Sequence, residues 1–201
     1  MPTALPRAEV RDVILDAAER LLGRFGYRKT TMDDLAGEAG IGKGTTYLHF
    51  PSKEAVFLAT VDRIADRLHE RLRAIAAGDL PAAARLRAML RERVLFRFDS
   101  VQSYAQSLDE LVGAFRASFL ERRARHFKDE AEIFAGVLNE GRRSGELAFK
   151  NADRSARAML LATNALLPYN LSPRELGERA VLSDQVAAIA ELLLQGLVQR
   201  A

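Results

Sequence analysis

Between Thr31 and Lys53 the chain sets out groups suited to phosphate oxygens and base edges rather than to bond-making chemistry. From Ala39 to Lys53 there is no carboxylate. The stretch holds Lys43, His49 and Lys53 with the neutral hydrogen-bonders Thr45, Thr46 and Tyr47. Cations and neutral donors together satisfy anionic oxygens without repelling them. Thr31 and Lys53 also stand at expected helix starts, where backbone N–H groups point at anions. Gly42 and Gly44 flank Lys43 and leave a slim, polar tip. That is the shape a helix needs to enter the major groove of DNA.

The elements that must hold these groups are readable from spacing. Val10, Val13, Ile14, Ala17, Ala18, Leu21, Leu22 and Phe25 recur at the helical period, and Gly26 is a natural stop. Thr31 caps the next helix, with Asp34 three residues on in a capping-box arrangement. Asp33 and Asp34 suit the positive end of that helix. They serve the cap alone, or they limit phosphate affinity there. Ala36 is followed four residues later by Gly40, which tolerates a left-handed turn, while the small alanine admits a second helix at close range. That helix runs from Lys43 to about Phe50 and ends at Pro51, because the residue before proline is pushed out of the helical region. Ser52 caps a long helix carrying Phe57, Val61, Ile64, Leu68, Leu72 and Ile75. Two short helices with a glycine turn occur in many helical proteins. The specific signal here is the combination with a fully periodic first helix, an acid-free second partner and a Pro-Ser-Lys exit.

These residues resemble the TetR family of bacterial transcriptional regulators. The match runs from about Val10 to Phe57, with its core in Thr31-Met32-Asp33-Asp34-Leu35-Ala36 and in Ala39 through Glu54. The resemblance implies a three-helix DNA-binding head on a helical ligand-binding body, usually a two-fold dimer. It implies that Tyr47 and Lys53 contact phosphates, that Lys43, Gly44, Thr45 and Thr46 read bases, and that Thr31 contacts a phosphate. It places His49 at a backbone or structural position and Phe50 in the core.

The remaining chain also reads as helical. Leu86, Met89, Leu90, Val94 and Phe98 mark one helix, and Leu108 through Leu138 mark a long one broken near Gly113 and closed by Gly141 and Gly145. Asn151 caps a helix running to Pro168, and Ser183 or Asp184 caps the last, to about Val198. No segment alternates as a strand does. The expected fold is all-α. Residues 1–53 form a helix-turn-helix DNA-binding domain, and residues 54–201 a helical bundle for ligand binding and dimerisation.

Within that bundle the aromatic residues concentrate in mid-chain. Phe96, Tyr104, Phe115, Phe119 and Phe134, with Asn164 and Tyr169, are candidates to line an apolar effector pocket, although each Phe also suits ordinary core packing. Arg122, Arg123, Arg125 and Lys128 read as a solvated face around His126. His126 with Asp129 and Glu130 lacks metal-ligand spacing, and His69 has only Glu70 beside it, so neither a metal site nor a cofactor is expected. Val186, Ile189, Leu192, Leu193, Leu194, Leu197 and Val198 cover more than one face of the last helix. Together with the helix after Asn151 they suggest a homodimer through the last two helices.

Composition narrows the classes. The 201 residues are 48% hydrophobic and 28% charged, enough to bury a core and too apolar for a disordered tail. The absence of cysteine excludes disulfides, thiolate metal sites and cysteine nucleophiles. A formal net charge of +3 is too small to argue for nucleic acid by itself. No apolar run approaches the ~18 residues that span a bilayer, and no signal-like segment is visible, so a cytoplasmic protein is expected. An enzyme would need converging acid, base and nucleophile, and the Gly40–Thr46 stretch lacks P-loop spacing. The expected function is a ligand-responsive repressor, released by a small hydrophobic molecule from a palindromic operator in double-stranded DNA. A helical protein-binding adaptor and an all-helical enzyme are the alternatives.

Overall fold

The computed structural model describes residues 6–102, 110, 113–167 and 177–196, and no strand occurs among them. The elements are α1 (Arg7–Lys29), α2 (Met32–Ala39), α3 (Lys43–His49), α4 (Lys53–Ala76), α5 (Ala82–Val101), α6 (Arg116–Arg143), α7 (Ala152–Thr163), a 3-10 turn (Asn164–Leu166) and α8 (Arg179–Gln195). The all-α expectation holds. The described residues fall into two compact units, one within 1–64 and 103–122, the other within 65–102 and 123–201.

In the first unit, the periodic face of α1 buries Ile14, Leu15, Ala17, Ala18, Leu21 and Leu22. Leu35, Ala36, Phe50, Val56 and Phe57 complete the interior. Gly26 breaks α1 with φ 79° and ψ 172°, a conformation essentially confined to glycine. The Thr30 hydroxyl then donates to the Gly26 carbonyl at 2.8 Å. Arg63 of α4 lies 2.8 Å from Asp16 and 2.6 Å from Glu19 of α1. Arg20 of α1 meets Glu38 of α2 at 2.5 Å. Ion pairs this near the surface contribute little stability, so they set register more than they hold the unit together.

The second unit has a continuous core that includes Leu68, Leu72, Leu86, Met89, Leu90, Val94, Phe134, Leu138, Leu160 and Val186. Its helix ends are capped by side chains from near and far. The Asn151 side-chain Oδ1 accepts the Arg154 N–H at 2.8 Å, as the sequence predicts. The Glu146 carboxylate accepts the N–H groups of Ala82 at 2.7 Å and Ala83 at 2.9 Å, so a residue remote in sequence caps α5.

Two boundaries differ from the sequence reading. Gly141 lies inside α6 rather than closing it. A Cβ there would sit 2.6 Å from Leu147 Cδ1 and 2.7 Å from Ala82 Cβ, so this glycine exists for close packing. Gly145, with φ 78°, follows the end of the helix. The last helix begins at Arg179, ahead of the expected cap at Ser183 or Asp184. Leu182 already belongs to its buried face, and the Ser183 hydroxyl instead accepts from Arg91 Nε at 3.2 Å.

Candidate nucleic-acid interface

The helix-turn-helix is built by two local motifs. At its start, the Thr31 hydroxyl oxygen accepts the Asp34 N–H at 3.1 Å. Asp34 Oδ2 accepts the Thr31 N–H at 2.8 Å and the Thr31 hydroxyl at 2.7 Å. These hydrogen bonds hold the Asp34 carboxyl below the usual carboxylate range. Asp34 is therefore a capping residue, and Thr31 stays exposed at the helix start. At the other end, Gly40 adopts φ 66° and donates to Gly37 O at 3.2 Å, while Ile41 N–H donates to Ala36 O at 3.0 Å. This pair of bonds is a Schellman motif, which turns the chain sharply enough to start α3 three residues later.

On α3, Lys43 and Gly44 are exposed, Thr45 and His49 half-buried, and Tyr47 is 46% exposed. A Cβ placed on Gly44 meets nothing within 4 Å. Among the described residues, no packing requires glycine there. The bare position leaves room for another molecule to approach the helix backbone. Thr46 departs from the expected set. Its side chain is wholly buried and its hydroxyl turns back to the Gly42 carbonyl at 3.4 Å. The helical period points position 46 inward, so it reads no base without disrupting the unit. Leu48, outside the expected set, is 77% exposed on α3 and out of phase with the inward face. Phe50 is buried, as expected, with the Arg11 guanidinium 4.6 Å above its ring.

Two cations near this tip have intramolecular partners. Lys43 Nζ lies 2.8 Å from Asp33, whose hydrogen bond and charge raise the lysine pKa. Lys53 Nζ donates to Tyr27 O at 2.9 Å and lies 4.2 Å from the centre of the Tyr27 ring. Burial lowers the Lys53 pKa, opposed by Glu110. Tyr27 itself packs edgewise on Phe57 at 5.2 Å and on Phe115 at 4.9 Å. Lys53 thus satisfies the carbonyl end of α1, a role that spacing along the chain did not reveal. Ser52 caps α4, accepting the Ala55 N–H at 3.2 Å.

Residues 14–60 match the family described as bacterial regulatory proteins, tetR family. The HTH-type transcriptional repressor KstR2 of Rhodococcus jostii is 32% identical over 151 residues, 70% of this chain and 72% of that protein. The chain belongs to the TetR family. It is a DNA-binding transcriptional regulator of the helix-turn-helix type. A transcriptional regulator from Cytophaga hutchinsonii shares the fold, with a TM-score of 0.77 at 23% identity over 94% of this chain and 98% of that one. So does FadR of Bacillus subtilis in complex with stearoyl-CoA, with a TM-score of 0.70 at 19% identity, over 92% and 98% of the two chains. Among the described residues, no helix is long and apolar enough to cross a membrane.

In this TetR-family chain the residues expected to line an effector pocket are divided. Phe115 and Phe119 belong to the first unit, where Phe115 packs on Tyr27. Phe134 is fully buried in the core of the second unit, and Phe96 packs against that core under the Arg71 guanidinium at 4.8 Å. Asn164 accepts from Arg93 Nη2 at 2.8 Å. Tyr104 and Tyr169 lie outside the described residues. Aromatic residues close in sequence part company here because the two units draw on interleaved stretches of chain. A hollow of about 570 Å³ in the second unit has a different lining, including Leu80, Pro81, Arg85, Glu140, Ser144 and Glu146.

Proposed function

We propose that the chain is a homodimeric, cytoplasmic repressor that grips a palindromic operator in double-stranded DNA through α3 and releases it when a small, largely hydrophobic effector binds the body. Residues 1–53 serve as the DNA-binding head and 54–201 as the ligand-binding and dimerising body. The carrying observation is the open tip of α3, a helix that itself carries no carboxylate, with Lys43 exposed beside a glycine that no contact among the described residues requires. Lys43, Gly44 and Thr45 face bases, and exposed Leu48 suits a thymine methyl. Thr31, Tyr47 and Lys53 contact phosphates, while His49 supports the helix. Thr46 acts only by packing.

Dimerisation is supported by exposed Leu161 on α7 and by Val181 and Leu192 on α8, set among exposed Ala158, Ala162, Ala187 and Ala188. These form an apolar face low enough for helices to pack closely. An apolar effector is supported by the stearoyl-CoA bound to FadR, which shares this fold. A regulator so built has no catalytic step.

Selection of bound fragments from genomic DNA, followed by mobility shift, tests the reading. It expects a palindromic site bound by two chains, and binding lost in Lys43→Ala with Tyr47→Phe. Capture of a specific protein with no sequence-selective DNA binding overturns it.

A further inference from the structure

The second unit encloses a polar cluster that the DNA-binding reading does not use. Arg93 and Arg97 of α5 hold Glu130 of α6. Arg93 Nε donates to Glu130 Oε2 at 2.6 Å, and Arg97 Nη2 donates to Glu130 Oε1. Both carboxylate oxygens are thereby committed. Beside them sits His69 of α4, only 3% exposed, with its Nε2 lacking a hydrogen-bond partner among the described residues. Glu130 Oε1 lies 4.0 Å from that nitrogen. A buried polar atom left in this state is costly, and native structures rarely tolerate it without a further occupant. The His69 ring lies 5.8 Å from the ring of His126, which is also buried. One ligating atom each from His69, His126 and Asp129 lie within 4.8 Å of one another.

We propose that His69, His126 and Asp129 form a binding site for a borderline divalent transition-metal ion of the zinc type, joining α4 to α6 within the second unit. His126 and Asp129 stand three residues apart on α6, so they share one helix face. His69 completes the set from the facing helix. Two imidazoles and one carboxylate match the donor preference of zinc, cobalt or nickel. Magnesium and calcium require several oxygen ligands, and the adjacent Glu130 is held by two guanidinium groups. Tetrahedral zinc places its ligands about 3.3 Å apart, given bonds of about 2.0–2.1 Å. The side chains therefore close by at most about 1.5 Å from the 4.8 Å span. Asp129 is half-buried and supplies the freedom for that movement as well as a route of entry. Three protein ligands leave a fourth position for water or an exchangeable group. Spacing along the chain does not show this set, because the fold brings His69 to His126 from another helix. The site stands independently of the operator and effector reading.

The test uses the full chain, stripped with chelator and titrated with Co²⁺ and Zn²⁺. One ion per chain is expected, with visible Co²⁺ d–d absorption that Zn²⁺ abolishes and that millimolar Mg²⁺ or Ca²⁺ leaves intact. His69→Gln should weaken Zn²⁺ binding by roughly 100-fold or more, and Asp129→Asn by roughly 10-fold or more. Circular dichroism of metal-free protein confirms that each variant is folded. If His69→Gln does not fold, the half-buried Asp129→Asn decides alone. Absence of stoichiometric binding overturns the proposal. So does binding that survives these substitutions unchanged, or binding of Mg²⁺ only.

Discussion

The Lys43 ammonium lies 2.8 Å from the Asp33 carboxylate across the turn between α2 and α3. Lys43 is therefore already paired in the free protein. On the proposed reading, DNA binding exchanges this partner for a phosphate or a base edge and leaves Asp33 facing the polyanion. Asp33→Asn should tighten operator binding several-fold at low salt, with the gain shrinking as salt screens the remaining charges. Lys43→Ala should weaken binding and make the slope of log K against log salt shallower by about 1. Fluorescence anisotropy with labelled operator over a salt series measures both. Weaker binding by Asp33→Asn would show that the pair positions Lys43 rather than restraining it.

Lys53 joins the start of α4 to the end of α1 through the Tyr27 carbonyl and ring. A lysine that satisfies a helix C-terminus contributes about 1 kcal/mol. Lys53→Met keeps the apolar stem and removes the donor. It should lower the stability of the first unit by about that amount as well as weaken DNA binding. Thermal unfolding alongside mobility shift separates the roles. An unchanged melting temperature with lost binding would assign Lys53 to phosphate alone.

Gly44 and Gly141 should respond in opposite ways to the same substitution. Gly44→Ala meets open space and gains helix propensity, so stability should hold or rise by up to about 1 kcal/mol while operator affinity falls. Gly141→Ala forces a methyl group against Leu147 and Ala82 and should cost about 1–3 kcal/mol. Urea unfolding of the two variants, with operator binding for Gly44→Ala, checks both halves. Undiminished affinity in Gly44→Ala would remove position 44 from the interface.

Glu130 should make the second unit acid-sensitive. Burial alone would raise its pKa, but the charges and hydrogen bonds of Arg97 and Arg93 outweigh burial and bring it down to about 2. A carboxyl with a lower pKa folded than unfolded adds stability above its unfolded value, and loses it as the pH falls through the folded one. From an ordinary value of 4.5 down to about 2, roughly 3 kcal/mol should disappear. Glu130→Gln leaves two buried guanidinium groups without their anion and should cost about 3–5 kcal/mol at neutral pH. That variant should also lose most of the acid dependence in this window. Denaturant unfolding in chelator-containing buffer from neutral pH to pH 2 tests it. Equal acid dependence in wild type and variant would contradict this account.

The helices, the caps at Thr31, Ser52 and Asn151, and the left-handed turn at Gly40 were all legible from the chain alone. Each depends on residues a few positions apart, so spacing is sufficient information. The exposed polar tip of α3 was legible for the same reason, since α3 is short and its polar set contiguous. The burial of Thr46 was not legible, because in so short a helix composition does not reveal which side faces inward. Only the tertiary structure decided that Lys53 caps α1, that Glu146 caps α5, that Gly141 is a packing residue, and that Phe115 and Phe134 belong to different units. It alone brought His69 to His126 and enclosed Glu130 between two arginines. Those relationships join residues tens of positions apart, and hydrophobic periodicity tells which face of a helix is buried without telling which partner buries it.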